Sequence, residues 1–227
     1  MAASPLTSLT VLNPERTEIR SLSERAYYLI RHLIVSLQLP PGSSIDERRL
    51  MTDLGLGRTP IREALRRLAT EDLVAVYPRR GMFVTAVDAG DLAGVTEVRL
   101  VLEGHAARLA AERATPAERE HAATLIAEVD ACHPDAAHPA LIDLDQRIHQ
   151  HVHRCTHNPF LVATLENYFV LALRIWFLVL DRVGRLDDAV REHRNLLDAV
   201  RRGDPDRAER VVRKHITGFE REIRKVL

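Results

Sequence analysis

Little in this chain could hold it together covalently. Its 227 residues contain two cysteines, Cys132 and Cys155, and neither lies in a CxxC pair. A chain this long needs no disulfide framework, so a reducing cytosol is the expected setting and the protein is expected to be cytoplasmic. Lysine is almost missing. Lys214 and Lys225 are the only two, and arginine carries nearly all the positive charge. Usage that general reflects genome composition more than a task, although guanidinium groups suit bidentate phosphate and guanine contacts. Aromatics make up 4 %; alanine, leucine, valine and isoleucine dominate at helical periods, which predicts a mostly helical protein. The opening MAASPLTSLT has no basic stretch followed by an apolar run, so no signal peptide is expected. Residues 160–180 are the greasiest window, but Glu166, Asn167 and Arg174 interrupt it, which predicts a core helix and no membrane partner. Internal repeats and low-complexity segments are not evident.

Formal net charge is zero, and that balance hides an uneven distribution. Residues 20–86 hold 11 arginines against 7 acids, a net of +4, so the remainder carries −4. The excess sits where the motifs of a nucleic-acid reader also fall.

Texture divides the chain in three. Residues 1–19, with Pro5 and Pro14, read as a loose arm. A helix is expected over Ser23–Leu37, ended by Pro40-Pro41-Gly42, then a short helix capped by Asp46 and closed by a left-handed turn at Gly55. Thr59-Pro60 is expected to open a further helix, with a capping hydroxyl and a proline at its first position, running to about Glu71. Leu73–Tyr77 and Met82–Thr85 then pair around Arg79-Arg80-Gly81. Helix, glycine turn, helix and hairpin is the order of a winged helix-turn-helix, predicted for residues 20–87. From residue 91 to 227 only helical periodicity is found, broken at Thr115-Pro116, His133–Pro139, His157-Asn158-Pro159, Val183-Gly184 and Gly203-Asp204-Pro205. The fold class is therefore mainly α: an N-terminal winged helix-turn-helix with a small hairpin wing, and a C-terminal antiparallel all-helical bundle.

On the helix after Gly57, Arg58, Arg62 and Arg66 recur at i, i+4 and i+8 and form one stripe, while Ile61, Ala64, Leu65 and Leu68 occupy the other side. Arginines at the start of such a helix reach guanine edges or phosphates, helped by the partial charge of the helix N-terminus. Arg48 is placed to clamp the DNA backbone, and Arg79-Arg80 with Gly81 to approach the minor groove. The competing reading is a solvated face pairing with Glu47, Glu63 and Glu71. Residues 45–84 resemble the winged-helix domain of the GntR family of bacterial transcription regulators. Arg58-Thr59-Pro60-Ile61-Arg62-Glu63-Ala64-Leu65 matches its motif nearly residue for residue, and RGMFV matches its wing. The resemblance implies DNA contacts from Arg48, Arg58, Thr59, Arg62, Arg66, Arg80 and Gly81. Two positions depart: the family's usual serine is Gly57, and a common glycine before the wing is Asp72.

Histidines number eleven, so chance pairings abound. Asp145 and His149 are spaced i, i+4, but so are His149/His153 and His153/His157, and one helix alone does not choose among them. The later pair says more. His193 lies 11 residues before Asp204 and His215 lies 11 after, so an antiparallel hairpin sets them at one height, roughly 15 Å from the turn. Three imidazoles and a carboxylate would suit a divalent metal, zinc first, with nickel or manganese as alternatives; equally, the histidines could be satisfied by neighbours such as Glu192. The helical part resembles the ligand-binding domain of the FadR branch of GntR regulators, of the FCD type. Its metal-binding members carry D-x3-H followed by two later histidines, and NPFL after His157 also matches. That likeness implies Asp145, His149, His193 and His215 as ligands and leaves His151, His153 and His157 as bystanders.

Arg99 interrupts an apolar stripe of Leu92, Val95, Leu102, Ala106 and Leu109, and a charge on a core face needs a partner. The partner is either Glu103 or Asp145, or the carboxylate of a bound metabolite. The resembled E-x-R-x3-E helix lines an effector cavity, which favours the metabolite; Arg174 could serve similarly. Together these readings predict a regulator, most often a repressor in that family, acting as a homodimer on a palindromic double-stranded operator and answering to a small carboxylate bound near a metal. The alternative is a metal-dependent hydrolase or lyase using the Asp/His3 site.

Overall fold

Residues 19–132, 138–179, 182 and 186–226 are described by the computed structural model of the chain. The expected arm, and the breaks at residues 133–137 and Val183-Gly184, lie outside them. Two compact units emerge: one holds residues up to Asp88 together with Leu173–Leu178, the other Ala89–Ala172 and Val179–Leu227.

In the first unit, α1 (Leu22–Val35) starts behind Ser21, whose side chain accepts the Glu24 amide. It stops two residues short of the expected end because Leu37 turns left-handed, with φ of 61°, before the prolines are reached. Next comes α2 (Glu47–Leu54), capped by Asp46, which accepts the Arg48 and Arg49 amides at 2.9 and 3.1 Å. Gly55 closes it at φ 63°, a conformation glycine adopts without steric cost.

The reading helix α3 (Arg58–Thr70) begins two residues before the expected start at Pro60. Gly57 is its N-cap, and no side chain bonds the free amides, so Thr59 sits inside the helix instead of capping it. A serine at residue 57 would supply the missing acceptor. Strands β1 (Val74–Tyr77) and β2 (Gly81–Val84) pair antiparallel, Val74 opposite Val84 and Tyr77 opposite Gly81. Asp72 itself takes the left-handed conformation, φ 58°, where glycine would be easier. Ile61, Ala64, Leu65 and Leu68 of α3 meet Ala26, Ile30 and Ile34 of α1 in a core with Leu73 and Val84.

The second unit is helical throughout its described residues. Its order is α4 (Ala89–Arg113), α5 (Pro116–Asp130), α6 (His138–Arg154), α7 (Pro159–Val179, shared with the first unit), α8 (Leu186–Arg202) and α9 (Pro205–Arg224). Alanines 107, 110 and 111 give α4 a thin face, continued by Ala114 just past its end, against which Leu196 and Val200 of α8 and Val212 and Ile216 of α9 close. Thr115 and Glu118 form a capping box at the start of α5. From its next turn Arg119 donates to the carbonyls of Ala111, Ala114, Val200 and Arg201 at 2.8–3.0 Å, satisfying the ends of α4 and α8. Helix α7 is long and apolar enough to cross a membrane, but half of its most apolar window is buried within the fold.

Candidate nucleic-acid interface and metal centre

Burying the apolar side of α3 leaves its arginine stripe facing outward. Arg58, Thr59 and Arg66 are exposed, and Arg62 is half-buried. Of the three acids able to neutralise the stripe, Glu47 lies 3.7 Å from Arg62. Glu63 instead accepts from the Ser23 hydroxyl, and Glu71 turns inward to Arg67 and the Tyr27 hydroxyl, at 3.2 and 2.8 Å. Arg48, Arg58 and Arg66 therefore make no ion pair among the described residues. Arg48 and Arg58 share a cleft with Ile45, Asp46, Glu47 and Met51. At the wing tip Arg80 is exposed beside Gly81, which has φ 96°.

Behind the stripe lies a support that sequence patterning did not reveal. The Tyr27 hydroxyl receives Arg31 at 2.9 Å and donates to Glu71, while the Arg67 guanidinium covers the Tyr27 ring at 3.6 Å. Burial, opposed by Arg31 and reinforced by Glu71, pushes the Tyr27 phenol up to about 12. This chain of contacts locks α3 onto α1, which fixes the direction in which the stripe points.

In the second unit the packing of α6, α8 and α9 brings Asp145, His149, His193 and His215 together. One donor atom from each lies within 4.8 Å of all the others, and all four residues are buried. The His193 and His215 rings stand 4.1 Å apart between centroids. Nε2 of His193 lies 3.1 Å from Nε2 of His149 and 3.5 Å from Asp145 Oδ1. Two donors about 2.05 Å from one tetrahedral ion are themselves ~3.3 Å apart, so both spacings fit a shared ion; the Asp145–His149 edge, at 4.0 Å, is wider.

Electrostatics agree with a set of donors that lacks internal satisfaction. Burial raises the Asp145 carboxyl to about 6 against the pull of His215 and Arg99. Burial, with the His215 and His149 rings adding to it, pushes His193 well below the usual imidazole range and keeps it neutral. A buried carboxylate beside the neutral His193 ring and two further buried imidazoles is a donor set for a divalent cation.

Around this set lie Glu103, expected only as a partner for Arg99, and His153, expected as a bystander. Glu103 and His153 are both 2 % exposed, and His149 Nδ1 is 2.9 Å from Glu103. Glu103, His149 and His153 form a second close group. His153 makes no hydrogen bond with the described residues, and the same holds for the amide of the fully buried Gln146. Burial would raise Glu103, but Arg99 and His149 outweigh it and hold the carboxyl well below its ordinary range. The E-x-R-x3-E spacing carried Glu103 in plain sight; its contact with α6 needed the packing.

Of the two candidate effector arginines, Arg99 is 6 % exposed and forms the ion pair that was one of its two expected fates, Nε to Glu103 Oε1 at 2.5 Å. Arg174 is placed otherwise than expected. It belongs to the first unit, where its guanidinium donates to the Thr85 carbonyl and, at 2.6 Å, to the Thr85 hydroxyl. Its charge is engaged at the base of the wing, since a buried guanidinium takes whatever acceptors its packing supplies.

Residues 22–84 match the family described as bacterial regulatory proteins, gntR family, and residues 94–218 match the FCD domain. The HTH-type transcriptional repressor RspR of Escherichia coli (strain K12) is 23 % identical over 221 residues, covering 97 % of this chain and 95 % of that protein. The Nta operon transcriptional regulator of Aminobacter aminovorans is 33 % identical over 135 residues, 60 % of this chain and 64 % of that one. Among solved structures, E. coli McbR/YncC shares the fold with a TM-score of 0.80 at 20 % identity, over 91 % of this chain and 99 % of that chain.

Proposed function

The chain belongs to the gntR family of bacterial regulatory proteins and carries an FCD domain, so it is a DNA-binding transcription regulator and not an enzyme; on that premise we propose that it is a cytoplasmic, homodimeric repressor whose operator affinity is set by a small carboxylate bound beside a divalent metal. The observation that carries the DNA half is the outward stripe of Arg58, Arg62 and Arg66, with Arg58 and Arg66 free of ion pairs among the described residues. An exposed guanidinium row on a short helix binds phosphates and guanine edges, and Thr59, Arg48, Arg80 and Gly81 flank it. Two copies related by a two-fold axis would read an inverted repeat.

Asp145, His149, His193 and His215 would hold the ion, zinc being the first choice for three imidazoles and a carboxylate. Bound there, the ion supplies concentrated positive charge and polarises any oxygen that reaches it. The chain's own residues supply the rest. Arg99, held at one edge by Glu103, keeps its other donors for a carboxylate. The unbonded Gln146 amide and His153 ring supply polar atoms that a ligand would satisfy. A ligand favouring one of two dimer arrangements would shift operator affinity by its differential binding.

Selection of bound duplexes from a random-sequence DNA library by the full-length protein tests the reading. Enrichment of an inverted repeat, lost in R58A/R62A, is expected. Enrichment of the same sequences by that double variant would overturn it. On the enriched duplex, carboxylates that leave affinity unchanged in the zinc-loaded protein would remove the effector half.

A further inference from the structure

Glu103 reaches from α4 to α6 and divides its carboxylate between two neighbours. Oε1 meets Arg99 Nε at 2.5 Å, and Oε2 meets His149 Nδ1 at 2.9 Å. All three side chains are at most 7 % exposed. A carboxylate paired with a guanidinium has no proton to give, so the bond to His149 requires the proton on Nδ1. A neutral imidazole protonated there carries its lone pair on Nε2. That atom faces His193 and Asp145, at 3.1 and 4.0 Å.

We propose that Glu103 is a positioning residue: it fixes His149 as the Nδ1–H tautomer and aims its Nε2 lone pair into the Asp145/His193/His215 cluster, while Arg99 holds Glu103 in place. The inference rests on the metal reading given above and adds to it the group that prepares one ligand before any ion arrives. An outer carboxylate behind a ligating histidine raises its basicity and fixes its ring, typically worth 10–100-fold in metal affinity. Glu192 stands behind His215 in the same way, Oε2 to Nδ1 at 3.3 Å, but its side chain is 44 % exposed and water competes for the bond. Glu103 is shielded from water, and the other ring near the same oxygen, His153, stands farther off, with Nε2 at 4.0 Å against 2.9 Å for His149 Nδ1.

The neighbouring group of Glu103, His149 and His153 offers another role for the same carboxylate, as a ligand in its own right. That role would leave His149 Nδ1 without its proton, and it would place a cation against a carboxylate already paired with Arg99 at 2.5 Å. The two roles predict opposite tautomers for His149.

Two measurements on the full-length protein test the proposal. Long-range proton–nitrogen spectra of the metal-free protein, with His149 assigned by substitution, should show the Nδ1–H form, lost in E103A. Zinc affinity by competition with a chromophoric chelator should fall about 10–100-fold in E103A and in R99M/E103A, which removes both charges and spares the fold an unpaired guanidinium; E192A should fall less. Wild-type protein that binds no zinc would remove the metal reading, while the tautomer spectrum would still decide the role of Glu103. An Nε2–H tautomer in the metal-free wild type, or unchanged zinc affinity in both folded Glu103 variants, would overturn the proposal.

Discussion

His193 and His215 stand on successive helices, each eleven residues from Asp204, and their rings lie 4.1 Å apart between centroids. The Gly203 turn, at φ 69°, and the Asp204 cap, which accepts the Arg207 amide at 3.0 Å, set this register. Equal distance from a tight turn becomes equal height along the hairpin.

Zinc should therefore stabilise the native chain in proportion to its occupancy. Free zinc at a hundred times its dissociation constant contributes about 2.7 kcal/mol, which for a protein of this size raises Tm by roughly 5–10 °C. Calorimetry with and without zinc reads the shift, and H193A or H215A should abolish it. An equal shift in H193A would mean that the ion binds elsewhere.

The arginine stripe should reveal itself through salt. Each phosphate contact removed lowers the slope of log affinity against log salt by about one. R66A, further along α3, is expected to change that slope while leaving sequence preference intact. R58A, at the helix start, is expected to cost about 1–3 kcal/mol on the preferred operator and to relax preference at one base pair. Fluorescence anisotropy across a salt series separates the two behaviours.

Arg119 is expected to matter for stability alone. Its guanidinium satisfies four carbonyls at the ends of α4 and α8. R119M leaves them to whatever water can reach, at a cost of about 1–3 kcal/mol. Denaturant titration should register that loss, while zinc affinity stays within about twofold of wild type because distant, unshared sites are nearly independent.

Cys155 is fully buried, and burial pushes its thiol up to about 12, with Glu118 adding and Arg119 opposing. The half-buried Cys132 should react with a disulfide reagent at pH 8 in the native protein, and Cys155 only after unfolding. The sign of the pH effect follows. Between about 9 and 12 the folded chain keeps a proton that the unfolded chain loses, so stability falls as pH rises through that window. The fall should be smaller in C155A, measured by urea unfolding at two alkaline pH values.

The outline of the protein was written in local pattern. Asp46, Gly55 and Pro116 act within a turn or two of where they stand, so caps and breaks could be read from neighbours, and the stripe of Arg58, Arg62 and Arg66 follows from helical period alone. Errors arose where two local signals competed. Thr59-Pro60 has the form of a cap and a first position, yet the chain enters α3 two residues sooner, with Gly57 as the cap and Arg58 as the first helical residue. Asp72, where aspartate in place of the family's usual glycine implies an altered turn, takes the left-handed conformation that glycine would have taken.

Sequence by itself determined the order of elements, the membership of the family and the meeting of His193 with His215, because each depends on periodicity and on distance from a turn. Only the tertiary structure decided which partner each buried charge took. Arg99 went to Glu103, Arg174 to Thr85 and Glu71 to Tyr27, and Glu103 also came to rest against His149. The reason is physical: a charge removed from water must find the nearest acceptor or donor that packing supplies; for Arg99 that is Glu103 one turn along the same helix, chosen over the other candidates, and for the rest it comes from segments far apart in sequence.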